Sequence, residues 1–323
     1  MTLTELDRVR KFTVRRCVFV LIVVSLPFFL FVVSVISDSS FFYERFSGNI
    51  VFEVLNWYSL VFAFLWGLFA VLFVLGFIYC FLLQAKFARQ YKDFIIVDTL
   101  NGAFDRFEYK SHGIAEGLPQ SIPAGVGVVK LNSSYLSNDY FEADYDGVHF
   151  QQADVRVDSF DKDFRRGVPI FFGRWMIFDF DKDFATNVHV VQKGYYNNYA
   201  VRPVDCDESY KRVLTGDDVF DSCFDVLTQA PSLAPCVLTP VMMDRMCQVL
   251  SAPFMVSSEF NKVFFCFVGH ELHVGIHNKM NSFEPSVRGK FDFDSIRNHV
   301  SDDVKVSTDL MDILALHSVS FES

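Results

Sequence analysis

Three histidines fall within eight residues, at His270, His273 and His277. Imidazoles this close together raise the question of a metal ion, because neutral histidine is the commonest nitrogen ligand of zinc. The stretch His270-Glu271-Leu272-His273 is one residue short of H-E-x-x-H, the helical pattern that sets two imidazoles on one face with a general base beside them. On a strand, His273 and His277 share a face with Gly275 between them. His270 then points the other way, and Leu272, Val274 and Ile276 make the apolar side. That arrangement favours three histidines on a solvated face and turn over a zinc site. On this reading, replacing all three by Gln changes stability by no more than ~0.5 kcal/mol.

Asp179, Asp181 and Asp183 have the D-x-D-x-D spacing of a calcium loop. Such a loop needs Gly at its sixth position and Glu at its twelfth. Phe184 and Val190 stand there instead, so a polar hairpin turn is the better reading. The pentapeptide Phe160-Asp161-Lys162-Asp163-Phe164 recurs as 180–184, which reads as two similar turns. Gly125-Val126-Gly127 lacks the third glycine of a dinucleotide fingerprint. No G-x-S-x-G, Walker lysine or kinase motif occurs. No catalytic residue and no cofactor is therefore expected, and the only metal candidates are His270, His273 and His277.

The elements that hold these residues begin with two apolar runs. Residues 17–37 and 58–85 carry no charge, and each is long enough for a hydrocarbon core of ~30 Å. They are read as transmembrane helices, with Trp57 and Tyr58 as interfacial anchors. A signal peptide is a weaker reading of the first run, which exceeds the usual apolar core of ~7–15 residues. Residues 1–16 are basic, and Lys86, Arg89 and Lys92 follow the second run. The intervening 38–57 has one Arg45 against Asp38, Glu44 and Glu53. The positive-inside rule places both termini in the cytoplasm and 38–57 outside.

The chain has 323 residues, 51% of them hydrophobic, and a net charge of −10. Residues 1–92 carry a net +4, so the rest carries −14. An acidic domain of that kind argues against nucleic acid as a partner. It is also repelled by anionic headgroups, while the basic residues near the spans are attracted. Five of the seven cysteines lie after residue 92 without C-x-x-C spacing, as expected for reduced thiols.

The remainder reads as α+β, an antiparallel sheet plus helices behind the two-helix transmembrane hairpin. Residues 86–127 are a juxtamembrane helix, extending to 110, and a Gly/Pro-rich loop. Residues 128–203 form a β-rich subdomain, and 204–323 an α+β subdomain. Strands 140–145 and 148–157 join at Asp146-Gly147, a strong hairpin signal. Strands 170–180 and 187–192 form a second hairpin through 181–183. Further on come a short helix at 209–214, strands at 223–227, 254–257, 263–269 and 272–277, and a helix started by Thr239-Pro240. Helices at 293–299 and 310–316 close the chain.

Several segments together resemble a known family. They are Asp146-Gly147-Val148-His149-Phe150, Ile170-Phe171-Phe172-Gly173-Arg174, 178–184, 219–226, Leu238-Thr239-Pro240-Val241-Met242-Met243 and Phe283-Glu284-Pro285. In this order they resemble an uncharacterised bacterial family, number 3137 among the domains of unknown function. The resemblance implies two membrane spans followed by a cytoplasmic domain, and no established activity. The histidines are not part of it. Physically, Phe172-Gly173 reads as a strand position with close backbone approach.

The expected role is a scaffold or interaction protein anchored in the plasma (inner) membrane. Its partners would be the lipid bilayer and a protein of unknown identity. Two alternatives stay open. One is a tethered sensor of a small ligand or lipid headgroup. The other is a metal-dependent hydrolase using His270, His273 and His277 with a carboxylate such as Glu271 or Glu284.

Overall fold

A computed structural model describes residues 3–43, 49–104, 106–110, 118–119, 121, 134–159, 168–195, 210–258, 261–279, 283 and 293–316. The side chains of Trp57 and Tyr58, the 160–164 pentapeptide, Gly125-Val126-Gly127 and Glu284 lie outside the described residues. The chain divides into two units. One comprises 1–94 with 285–293, the other 95–284 with 294–323.

In the first unit, helices α1 (Leu3–Tyr43) and α2 (Asn49–Tyr91) pack side by side and run antiparallel. Arg16 donates to the Tyr79 hydroxyl at 2.9 Å, and each of the Cys17 and Cys80 thiols lies 3.9 Å from the other's carbonyl oxygen. One turn on, Gly76 faces Val20, whose methyl would sit 3.0 Å from an added Cβ. Small residues at such crossings let helix backbones approach. A π turn (Lys92–Ile96) follows α2, and α3 (Val97–Ala103) belongs to the second unit. Among the described residues, the helical stretch Phe64–Ala103 is long and apolar enough to cross a membrane. Its most apolar window has a mean hydropathy of 2.5, and only 6% of that window is buried.

The second unit is α+β. Among the described residues one nine-stranded sheet carries it, with every strand pair antiparallel. The strands are β1 (Phe107–Lys110), β2 (Ser134–Tyr145), β3 (Val148–Ser159), β4 (Val168–Asp179), β5 (Val188–Gln192), β6 (Lys211–Val213), β7 (Phe224–Thr228), β8 (Lys262–Val268) and β9 (Glu271–His277). Their order is β1-β2-β3-β4-β9-β8-β5-β7-β6. The β2–β3 hairpin turns at Asp146-Gly147 as expected, with φ of 47° and 80°. Both positions lie in the left-handed region that an Asp-Gly turn supplies.

The second hairpin expected from sequence does not form. β4 pairs with β3 and β9, and β5 pairs with β7 and β8. The β8–β9 hairpin is inserted between β4 and β5, so strands from either side of residue 203 share one sheet. Residues 181–183 instead lie against the β8–β9 turn. Phe180 N–H donates to His270 O at 2.9 Å and Phe184 N–H to Gly269 O at 2.7 Å.

Other local readings also change. The helix expected through 110 stops at Ala103, and 107–110 extend as β1 against β2. Residues 211–213 are a strand, because they complete the sheet edge on β7, and a short helix, α4 (Asp218–Cys223), follows them. The stretch 254–257 is not a strand, since Pro253 occupies the first turn of a short helix, α6 (Pro253–Val256). The helix at Thr239-Pro240 is as expected. In α5 (Pro240–Val249) the Thr239 hydroxyl accepts from Met242 N–H at 3.2 Å. The two terminal helices are one, α7 (Phe293–Leu314). Its buried positions Val300, Val304, Ser307, Leu310, Met311 and Leu314 keep a helical stripe running across 300–309, between the two helices expected.

Both faces of the central strands are buried. One face carries Phe171, Trp175, Ile177, Val191, Phe264 and Cys266 in a single apolar cluster. On the other, α7 lies over β3 and β4. There Ser307 donates to Gln152 at 2.8 Å, and the Arg174 guanidinium donates to the Asp303 carbonyl oxygen. Arg174 also sits 4.0 Å from the buried Asp154 carboxylate. A buried guanidinium is tolerated in a dry interior because a carbonyl oxygen and an opposite charge lie beside it.

Candidate functional site

β9 reads Glu-Leu-His-Val-Gly-Ile-His, and all but its first residue is buried. The solvated face expected for the histidines therefore does not exist. β9 lies between β4 and β8, with side chains packed on both sides, so the odd-numbered positions face the aromatic cluster rather than water. His273 is 2% exposed and His277 0%. Only His270, in the turn, fits the expectation, with its side chain 58% exposed.

Each buried imidazole has a defined partner. Trp175 Nε1–H donates to His273 Nδ1 at 3.2 Å. An indole N–H can only donate, so Nδ1 accepts and the ring proton sits on Nε2, which lies 2.9 Å from Glu271 Oε2. The result is a Trp175–His273–Glu271 chain from the core to the sheet end. Four residues along, His277 Nδ1 accepts the Phe172 backbone N–H at 3.0 Å, and its ring packs edge-on against Phe171 and Tyr195. His273 and His277 thus serve different partners, and the three histidines do not converge on one ion.

A third buried imidazole, His189 on β5, was missed from sequence. Its ring packs against that of Tyr210, tilted by 33°, with centroids 4.7 Å apart. Register puts it opposite Cys266, which is opposite His273. A lone histidine in an apolar strand carries no local signal of what lies across the sheet.

Burial pushes the pKa of His189 down to about 4, with the nearby His273 adding to the effect, and burial likewise lowers His277 to about 4. Unfolded histidine titrates near ~6.5. Between those values the unfolded chain binds more protons, so stability falls as pH drops through the window. The loss is on the order of 3 kcal/mol for each imidazole by pH ~4. Thermal melts at pH 7 and 4.5 test this; an unchanged midpoint contradicts the burial.

A different grouping lies at the β4–β9 end. Asp179 stands directly opposite Glu271, and Val268 opposite Glu271 on the other side. The β8–β9 turn is the two residues Gly269-His270, with Gly269 at φ 60°. It brings His270 beside both carboxylates. One ligand atom from each of Asp179, His270 and Glu271 lies within 4.8 Å of the others. Burial and the facing Glu271 raise the Asp179 pKa above the ordinary carboxylate value. The hydrogen bond from His273 lowers that of Glu271 against the effect of burial. Of the three histidines proposed as ligands, one joins this group directly and a second reaches it through Glu271.

The strands that build this end, β4, β8 and β9, lie with α7 in the later half of the sequence. Residues 169–316 match a family model described as a protein of unknown function, DUF3137. The resemblance holds over that segment. It takes in β4, the β8–β9 hairpin, Asp179, His270 and Glu271, and leaves α1, α2 and the β2–β3 hairpin outside. No curated protein matches the chain. Among solved structures, the mycobacterial trehalose monomycolate transport factor A aligns with 70% of this chain and 94% of its own. The identity is 11% and the TM-score 0.31, a likeness too low to carry fold or role from one to the other.

Proposed function

We propose that α1 and α2 cross the plasma membrane as a hairpin and hold the DUF3137-bearing unit on the cytoplasmic side as an interaction module for a protein partner. The observation that carries this reading is apolar surface without a cover. Phe64, Phe73, Phe77 and Phe81 on α2 and Phe19, Ile22 and Phe29 on α1 are each more than half exposed. Moving one such side chain from water into an apolar medium is worth roughly 1.5–3 kcal/mol. A bilayer supplies that medium, and helices satisfy their own backbone hydrogen bonds within it. The Gly76 crossing and the paired Cys17 and Cys80 fit two helices held together in lipid.

Orientation follows from charge. The basic residues lie before α1's apolar run and after that of α2, and the stretch between is acidic. The −14 of the chain beyond residue 92 repels anionic headgroups and keeps its surface free for a partner.

A reporter active only in the cytoplasm is expected to work when fused after Ser323 and to fail when inserted within 39–49. Activity at the inserted position would reverse the orientation. Release of the full chain from membranes by carbonate would remove the spans altogether.

A further inference from the structure

The geometry points to a divalent transition-metal site, of the zinc class, formed by Asp179, His270 and Glu271 at the β4–β9 end of the sheet. This goes beyond the membrane reading and does not depend on it. The donor set is one imidazole and two carboxylates, a nitrogen–oxygen mixture that suits Zn²⁺ and its first-row neighbours better than Ca²⁺ or Mg²⁺. Ligands at roughly 2.1 Å from a tetrahedral ion are roughly 3.5 Å from one another. Here the three ligand atoms already lie within 4.8 Å of one another. Side-chain torsions can cover the difference without moving the backbone.

The backbone is what places them. Asp179 and Glu271 are opposed across an antiparallel pair, and like charges so placed disfavour the pairing unless something positive lies between. His270 follows from the two-residue turn, which is pinned by the Phe180 and Phe184 N–H groups donating to His270 O and Gly269 O. Three ligands on a hairpin end leave coordination positions open to water, the arrangement of sites that work on a substrate rather than staple a fold. His270 is exposed and both carboxylates are partly so, which gives an ion a way in.

The support behind the site is independent of the cluster itself. Glu271 Oε2 is held at 2.9 Å by the buried His273, whose other nitrogen accepts from Trp175. A ligand braced from behind by a buried hydrogen-bonded group is the usual outer shell of a metal centre. Asp183, with Oδ1 3.7 Å from His270 Nδ1, adds negative charge beside the imidazole. The competing account is a simple ion pair, in which protonated His270 alone neutralises the two carboxylates.

Full-length protein in detergent, stripped with a chelator and titrated with Zn²⁺ by calorimetry, separates the two. The site predicts saturable binding of one equivalent and a raised melting temperature. Asp179→Asn, His270→Ala and Glu271→Gln should each weaken binding at least tenfold while the apo proteins still melt cooperatively. Stoichiometric binding by the wild type decides between the accounts, and His270→Lys then tests the imidazole, because it restores positive charge but offers no free ligand at neutral pH. A metal site predicts that binding stays lost in this variant. Absence of stoichiometric binding in the wild type, or undiminished binding in the Asp179 and Glu271 variants, would overturn the proposal.

Discussion

Gly173→Ala is expected to leave little folded domain. A Cβ at this position would stand 2.1 Å from the carbonyl oxygen of Ile276 and 3.0 Å from the backbone nitrogen of Asn278. The obstacle is backbone, not the end of a flexible side chain. Here the chain leaving β9 turns over β4, where the Phe172 carbonyl oxygen accepts from Asn278 N–H at 3.2 Å and Lys279 N–H at 2.9 Å. Making room for one methyl means parting β4 from β9 in the middle of the sheet. A loss above ~4 kcal/mol places the substitution in the exceptional class for point changes. Thermal and urea unfolding of the full-length variant measure it. A midpoint within a few degrees of wild type would mean that β4 and β9 do not meet as described.

His273→Ala is expected to cost roughly 3–5 kcal/mol. The substitution empties a fully packed site and strands the buried indole N–H of Trp175, whose acceptor is His273 Nδ1. An unsatisfied buried donor alone accounts for ~1–3 kcal/mol. His270→Ala, on the exposed turn, should change stability of the metal-free protein by no more than ~0.5 kcal/mol. The contrast between neighbours three residues apart is the informative measurement. Equal and small effects would restore the solvated face that the sequence suggested.

That contrast shows where local reading of the sequence succeeds and where it stops. Asp146-Gly147 carries its own turn, because positive φ at both positions is a property of those two residues. Thr239-Pro240 carries its own helix start for the same kind of reason. Phe172-Gly173 announces a close approach, though not what approaches. Pairing across the sheet is not local. The 181–183 stretch looks like a hairpin turn in isolation, yet β4 finds β9 some hundred residues later. With that partner unknown, β9 reads as a half-exposed strand and its histidines as solvent-facing. The Asp179–His270–Glu271 group was invisible for the same reason. Asp179 belonged to a failed calcium pattern and His270 to a failed zinc pattern, and only the β4–β9 register joins them. The 254–257 error is of another kind, since a short apolar run reads equally as strand or buried helix until Pro253 is taken as a first-turn residue.

The late arrival of β8 and β9 has a consequence for synthesis. When a ribosome has made residues up to Thr228, β1 to β4 can form one partial sheet and β5, β7 and β6 another. Each then has an open edge, on β4 and on β5, with unpaired N–H and C=O groups and apolar neighbours. Such edges recruit foreign strands. At roughly 5–20 residues per second, β4 waits several seconds for residues 262–277. The Trp175–His273 contact spans 98 residues, and contacts of such separation slow closure further. The β8–β9 hairpin is thus a keystone laid last, and chains cut short before it leave two half-sheets that invite aggregation.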